Sequence, residues 1–399
     1  MKIITSENIP IKMWLEDIEP GALQQAKNLA NLPYAFRHIA LMPDSHEGYG
    51  MPIGGVLAAK DVIIPNAVGV DIGCGMCAVR TSLNSIEKSA LRNILTEIKK
   101  TIPLGFEHYK TKQDENLMPG SGTPDKYLHV VNEEYQSALT QIGTLGGGNH
   151  FIEVQKGSDG KIWIMIHSGS RNIGKQVADY YNKLAVKLKD KFHSPVPDKW
   201  QLAVLPLKSE EGQIYLKEMN YCVDFALANR KLMMAKIKNI FLNEIPELQR
   251  VCREYGEESA FGNMINIAHN YAVQEIHFSQ NVMVHRKGAT LAEKGTIGII
   301  PGSQGTKSYI VKGKGEKESF NSCSHGAGRR MGRHQAIRSL DLNDEIRRLD
   351  NQGIIHSIHS RRDLDEASSA YKDIDTVIEN QKDLIEVLIE LTPLGVIKG

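Results

Sequence analysis

The sequence is poor in cysteine, in net charge and in long apolar runs. Five cysteines in 399 residues do not make a disulfide framework, which excludes the small stapled secreted scaffolds. No apolar run approaches the roughly 20 residues of a membrane helix. The opening Met1-Lys2-Ile3-Ile4-Thr5 lacks the apolar stretch of a secretory leader. A reducing, cytoplasmic setting with no membrane partner is therefore expected. The formal net charge is only +1, so no global field recruits nucleic acid and any polyanion site must be a local patch. A Pro/Ser linker, a low-complexity tract and an internal repeat are all missing. So is any G-x-x-x-x-G-K-[ST] loop, or a G-x-G-x-x-G following a strand, and a bound nucleotide would sit in a non-standard cradle.

What is present is an ordinary 41% hydrophobic content, enough for a substantial core, and 35 glycines, many of them beside polar or histidine residues. That pattern suggests tight loops converging on one site. The polar clusters run from Asp44 to the C-terminus, which favours a single intertwined domain over 1–399. Short apolar runs predict strands at 37–42, 53–58, 76–80, 151–154, 162–166, 282–284, 298–300 and 309–311. Helical periodicity is clear at Leu91, Ile94, Leu95, Ile98 and Ile102, and recurs at 125–141, 173–189, 212–243 and 375–391. Strands do not alternate regularly with helices, so the expected class is mixed α+β, with helical insertions near 106–141 and 175–260. Cys222 and Cys252 fall in helical patterns and are expected to be buried thiols.

Four polar groups offer metal ligands. Asp71 and Cys74, in Val70-Asp71-Ile72-Gly73-Cys74-Gly75, bring a carboxylate and a thiolate together, a pair suited to a borderline divalent ion. Standing alone, the run better fits a strand-end turn with a buried thiol. Cys77 completes a C-x-x-C with no second C-x-x-C to make a four-cysteine site. Strand alternation would aim it away from Cys74, leaving it structural. Gly146-Gly147-Gly148-Asn149-His150-Phe151-Ile152-Glu153 allows close backbone approach to a ligand. His150 is its better metal ligand, while Asn149 suits phosphate and Glu153 a base edge. His167 opens the loop His167-Ser168-Gly169-Ser170-Arg171 at a strand end, and His269 follows the apolar Ile267-Ala268. Ser322-Cys323-Ser324-His325-Gly326-Ala327-Gly328-Arg329 sets a histidine at a glycine-rich turn ahead of an arginine. Such a histidine can attack phosphorus as a nucleophile, with arginine gripping phosphate oxygens. Asp44 and His46 alternate in Pro43-Asp44-Ser45-His46, and 301–308 is a further glycine-hydroxyl loop.

Together these runs resemble the RtcB family of RNA-splicing ligases. The matching segments are PDSHEGYG at 43–50, GVDIGCGM at 69–76, LGGGNHFIE at 145–153, HSGSR at 167–171 and AHNY at 268–271. They continue with RKGA at 286–289, PGSQGTKSY at 301–309, SCSHGAGR at 322–329, AYKDID at 370–375 and VIKG at 396–399. The resemblance runs end to end in the same order. It implies two Mn²⁺ ions held by Asp71, Cys74, His150, His167 and His269, with Cys74 bridging, and GTP as the nucleotide. It implies that His325 attacks the α-phosphorus of GTP, passes GMP to an RNA 3′-phosphate, and that a 5′-hydroxyl then displaces GMP. A 2′,3′-cyclic phosphate is first opened to the 3′-phosphate. Carried over onto this sequence, the nucleotide contacts are Asn149, Glu153, Asn270, Gly302, Ser303, Ser308, Gly326, Ala327, Gly328, Arg329, Tyr371 and Lys398. Asp44, Arg171 and Arg333 fall at the RNA ends, with Lys2, Lys287 and Arg329-Arg330 as a basic rim. The helper protein archease is an expected partner of some relatives.

The chain departs from the family pattern at Ser45 and Glu47, at Asn172 where glycine is common, and at Ile267-Ala268, where some relatives carry a second histidine. None of these removes a ligand or the nucleophile. Two other readings stand beside the ligase: a metal-dependent phosphoesterase acting on cyclic phosphates, indifferent to His325, and a silent RNA- or nucleotide-binding module.

Overall fold

The computed structural model describes every residue except 122 and 123. Two antiparallel-rich sheets carry the molecule. The first has the order Lys2–Ile4, Ile11–Met13, Ala35–His46, Ile53–Ala59, Gln280–Lys287, Asn270–His277. The second has seven strands in the order Ile265–Ala268, Gly75–Arg80, Ile162–Ser168, Phe151–Gly157, Ile385–Lys398, Ser308–Gly313, Ile297–Ile300.

Alternation assigns the two faces of the seven-stranded sheet different tasks. Cys77, Val79, Ile152, Val154, Ile164 and Ile166 point to one side. There they pack on Leu91, Ile94, Leu95 and Ile98 of the helix Lys88–Thr101 and on Met233, Ile237 and Phe241 of the 35-residue helix Glu210–Glu244. Each such fully buried aliphatic side chain contributes about 1.5–3 kcal/mol. The long helix starts where Ser209 accepts the Gly212 N–H, with Glu210 and Glu211 in the first turn, a capped and charge-complemented N-terminus. On the opposite face Met76, Ala78, Met165, Ile310 and Leu391 form a smaller cluster that no helix covers completely, and this is the face that carries the polar site. The two sheets meet where Met42, Val56, Ala58, Val282 and Val284 pack against Ile300, Tyr309 and Val311.

The mixed α+β class holds, and each expected strand is present, generally longer than its apolar run. The helix expected at 375–391 is not. A short helix Ile374–Glu379 gives way to the strand Ile385–Lys398. Ile385, Val387, Ile389 and Leu391 alternate with Glu386, Leu388 and Glu390, a period of two that the denser apolar content obscured. The insertion near 106–141 is helical only at His129–Gln141, preceded by 3-10 turns, and its positions 122 and 123 lie outside the described residues. The insertion near 175–260 holds as helix apart from the connection between Lys187 and Glu210. Cys222 is buried, but Cys252 is half-exposed because its helix lies on the surface. Lys287 is not at a basic rim: it is buried, and its ammonium donates to the carbonyls of Tyr49 (2.6 Å) and Asn66 (3.0 Å). No helix among the described residues is long and apolar enough to cross a membrane.

Candidate metal and nucleotide centre

Strand register brings distant residues into one row. Gly75 lies opposite Ser168 on one side and Ala268 on the other, and Phe151 lies opposite His167. Cys74, His150, His167 and His269 therefore share one end of neighbouring strands. Cys74 Sγ lies 3.5 Å from His150 Nε2 and 3.3 Å from His167 Nε2, and His167 Nε2 is 3.4 Å from His269 Nε2. Asp71 Oδ2 is 3.1 Å from His150 Nε2. Cys77 lies on the helix-packed face, away from this cluster. Gly75 must lack a side chain here, because a Cβ would collide with the Ile267 carbonyl.

The donor set fits a cation. His167 Nδ1 faces the Asn149 carbonyl at 3.1 Å, which places its proton on Nδ1 and turns the Nε2 lone pair inward. His150 has two settings. With a proton on Nε2 it donates to Asp71 while Nδ1 accepts from Arg171 Nη1 (3.1 Å). With the proton on Nδ1 it donates to the Leu145 carbonyl (3.0 Å) and frees Nε2. A cation taking Asp71 and His150 together selects the second. Burial pushes all three imidazoles below their ordinary pKa, so they are neutral ligands. Burial pushes the Cys74 thiol well up, and Asp71 beside it adds to the rise. Burial also acts upward on Asp71, but His150, Cys74 and Arg171 outweigh it and hold the carboxyl at about 2.

His325 stands beside this cluster, its ring 4.8 Å from the His269 ring. Asp44 Oδ2 accepts from His325 Nδ1 at 2.6 Å, from its backbone N–H at 3.0 Å and from the Gly326 N–H at 3.3 Å. The carboxylate is fully buried in the strand Ala35–His46, so it holds the ring in one orientation with Nε2 outward. Gly328, at φ +72°, passes so close to the Asp44 backbone that a Cβ would overlap its carbonyl. Ala327 is buried behind it.

A second polar cluster lies on the same sheet face. Glu153 accepts from Gln155, whose amide also donates to Ser308 Oγ at 3.1 Å. Ser308 Oγ in turn accepts the Gly302 N–H at 3.1 Å, and Ser303 Oγ pairs with Thr306 Oγ1 at 3.1 Å. Burial raises the Glu153 carboxyl to about 8, against the opposing pull of Gln155 and Lys398. Lys398 reaches this cluster because the last strand pairs Val396 with Glu153, and its ammonium lies 5.5 Å from the Phe151 ring centroid.

Glu366 gathers the cations. It is 3.2 Å from Arg329 Nη1, 3.1 Å from Arg333 Nε and 3.9 Å from Lys398 Nζ, and it accepts from Tyr371. Arg171 lies against Gly146 and Arg333 against Gly148, where side chains on the glycines would displace them. The Asn270 amide donates to the Asp71 carbonyl at 3.0 Å and accepts the Gly288 N–H at 2.7 Å, tying the metal turn to the strand beside His325.

Sequence reasoning missed Glu366 and the pair Asn229-Arg230. Arg230 is fully buried in the long helix and donates to the carbonyls of Gly73 (3.0 Å), Ser168 (2.7 Å) and Ile267 (3.2 Å). Each carbonyl lies one or two residues from a candidate ligand. Asn229 accepts from Gly143 N (2.6 Å) and donates to the Gly169 carbonyl (3.1 Å). The available signal was a polar pair on a helix face otherwise lined by Cys222, Phe225, Ala226 and Met233.

A two-sheet α+β fold with thiol, imidazole and carboxylate donors beside a carboxylate-held histidine defines the class: a mixed α+β protein with a place for a metal ion. The family model described as tRNA-splicing ligase RtcB matches residues 25–123 and 107–399. The chain is 39% identical to the RNA-splicing ligase RtcB1 of Escherichia coli ATCC 25922 across 100% of this chain and 99% of that protein. It is 38% identical to the RNA-splicing ligase RtcB of Escherichia coli K12 across 100% and 99%. With the tRNA-splicing ligase RtcB of Nanoarchaeum equitans it shares 33% identity across 98% and 96%. The chain belongs to the RtcB family of RNA ligases.

Proposed function

We propose that this protein joins an RNA 3′-phosphate or 2′,3′-cyclic phosphate end to a 5′-hydroxyl end, using GTP and Mn²⁺, and that residues 1–399 act as one domain. The observation that carries the reading is the Asp44–His325 contact of 2.6 Å beside the Cys74–His150–His167 cluster. Asp44 keeps the proton on Nδ1, leaving the Nε2 lone pair free as a nucleophile. In the first step a bond forms from His325 Nε2 to the α-phosphorus of GTP and the bond to pyrophosphate breaks. An RNA 3′-phosphate oxygen then attacks that phosphorus and the N–P bond breaks. Finally the 5′-hydroxyl oxygen attacks the RNA phosphate, its proton is lost, and GMP leaves. A cyclic phosphate must first take up water.

Asp71, Cys74, His150, His167 and His269 would hold the metal, which supplies charge neutralisation at the phosphates. Glu153 suits the N–H donors of guanine, with Ser308, Tyr371 and Lys398 around base and sugar. Gly302, Ser303, Gly326, Arg329 and Asn149 are assigned to phosphate and ribose. Displacement of Glu366 from Arg329 and Arg333 would free those cations for phosphate. All five cysteines are unpaired, which supports a reducing, cytoplasmic setting.

The test is incubation with α-labelled GTP and Mn²⁺, followed by denaturing electrophoresis, with wild type and His325→Ala. An acid-labile label on wild type and none on the variant is expected. No label on metal-loaded wild type, with or without archease, sinks the reading. Opening of cyclic phosphates by His325→Ala without GTP would instead indicate the phosphoesterase.

A further inference from the structure

A cavity of about 530 Å³ lies apart from the metal centre, between the helix Lys88–Thr101 and the segment 353–359. Lys88, Arg92 and Lys99 line it from the helix, spaced so that they share one face. Among the described residues none of the three has an ion pair, and Lys99 touches only the Ser357 hydroxyl at 3.2 Å. This is notable in a chain with 47 acidic residues against 48 basic ones. From the other wall come His356 and His359, and the one acid on the lining, Asp350, is 3.4 Å from His356. The cavity is therefore a concave, uncompensated cationic patch in a molecule of nearly zero net charge, a local attraction for polyanions.

The patch is joined to the centre by the chain itself. Ile355 hydrogen-bonds to Leu394 and Val396 of the last strand, two residues short of Lys398. Beyond His359 the chain turns through Arg361–Glu366, which ends on the carboxylate holding Arg329 and Arg333.

We propose that this cavity is a subsite for the phosphate backbone of the RNA being joined, inward of the reacting end. The inference rests on the RNA-ligase reading above. Phosphates inward of the reacting end meet Lys88, Arg92 and Lys99, while the terminal phosphate meets the metal centre. Three cations neutralising single-stranded phosphates add about 2 to the salt-dependence slope.

The test uses the full chain and its Lys88→Glu/Arg92→Glu/Lys99→Glu variant, all three being exposed helix positions. The probes are RNA oligomers of about 4 and about 20 nucleotides with 5′-hydroxyl and 3′-phosphate ends. Binding is measured between 50 and 200 mM salt. Wild type should lose roughly 20-fold more affinity for the long oligomer over that range than the variant does. Affinity for the short oligomer and guanylylation of His325 should be the same in both. An unchanged salt slope for the long oligomer overturns the proposal and leaves the patch to another polyanion, such as an acidic protein surface. Equal losses on long and short oligomers also overturn it. Failure of guanylylation in wild type would strike the ligase reading and not the subsite.

Discussion

Asp44 and His325 are 281 positions apart in the chain, and one hydrogen bond between them sets which ring nitrogen faces outward, the proposed nucleophile. Asp44→Asn keeps the volume but lets an amide N–H face Nδ1, which favours the wrong tautomer. Guanylylation is expected to slow by roughly 10²–10⁴-fold with the circular dichroism unchanged. A rate close to wild type would remove Asp44 from the mechanism. Glu153 makes a pH-dependent case. Its folded pKa of about 8 lies above the ordinary carboxyl value near 4.3. The fold thus favours the protonated form: its stabilising share is complete below the unfolded pKa and is lost as pH rises through about 8. A guanine N–H needs the ionised acceptor, so GTP binding should release a proton. Affinity should then rise about tenfold per pH unit up to the folded pKa. Calorimetry on wild type and Glu153→Gln checks this, since the variant should bind weakly at every pH with a flat profile. A steep profile in the variant would assign the proton elsewhere.

Among the elements, the long helix does more than fill the core. Through Arg230 it ties down the turn carrying Cys74, the strand end carrying His167 and the strand leading to His269. A lysine ammonium cannot span three carbonyls as a guanidinium does. Arg230→Lys should lower Mn²⁺ affinity by about 10–100-fold, the usual range for losing a group that orients metal ligands. Titration calorimetry with the metal alone would show it, and unchanged affinity would reduce Arg230 to a packing residue. The last strand is the element most easily misjudged from its terminal position. It lies inside the seven-stranded sheet between Phe151–Gly157 and Ser308–Gly313. Deleting 385–399 should therefore abolish cooperative unfolding altogether, where loss of a frayed tail would leave it intact.

At the scale of the molecule, metal binding would be linked to folding, because the proposed ligands come from strands that only the folded sheet aligns. Mn²⁺ at a hundred times its Kd should add about 2.7 kcal/mol. Thermal unfolding should move up by several degrees, and Cys74→Ala should suppress the shift. A shift of equal size in Cys74→Ala would place the metal elsewhere.

The sequence by itself determined the ligand types, the glycine-rich loops that carry them, the apolar strands behind them and the family pattern, because each is written in residues a few positions apart. Strand period predicts that Cys77 points away from Cys74, and Cys77 does lie on the helix-packed face, while Cys74 sits just before the strand beside His150 and His167. Only the tertiary structure decided that Gly75, Ser168 and Ala268 stand in one row, that Asp44 holds His325, that Arg230 pins the ligand loops and that Glu366 collects three cations. The strand at 385–398 was also settled there, since its apolar content fits a helix until a sheet supplies partners on both sides. These relations depend on register and on pairings between residues far apart in the chain. No local preference encodes them, because the free energy that selects them comes from burying whole faces together.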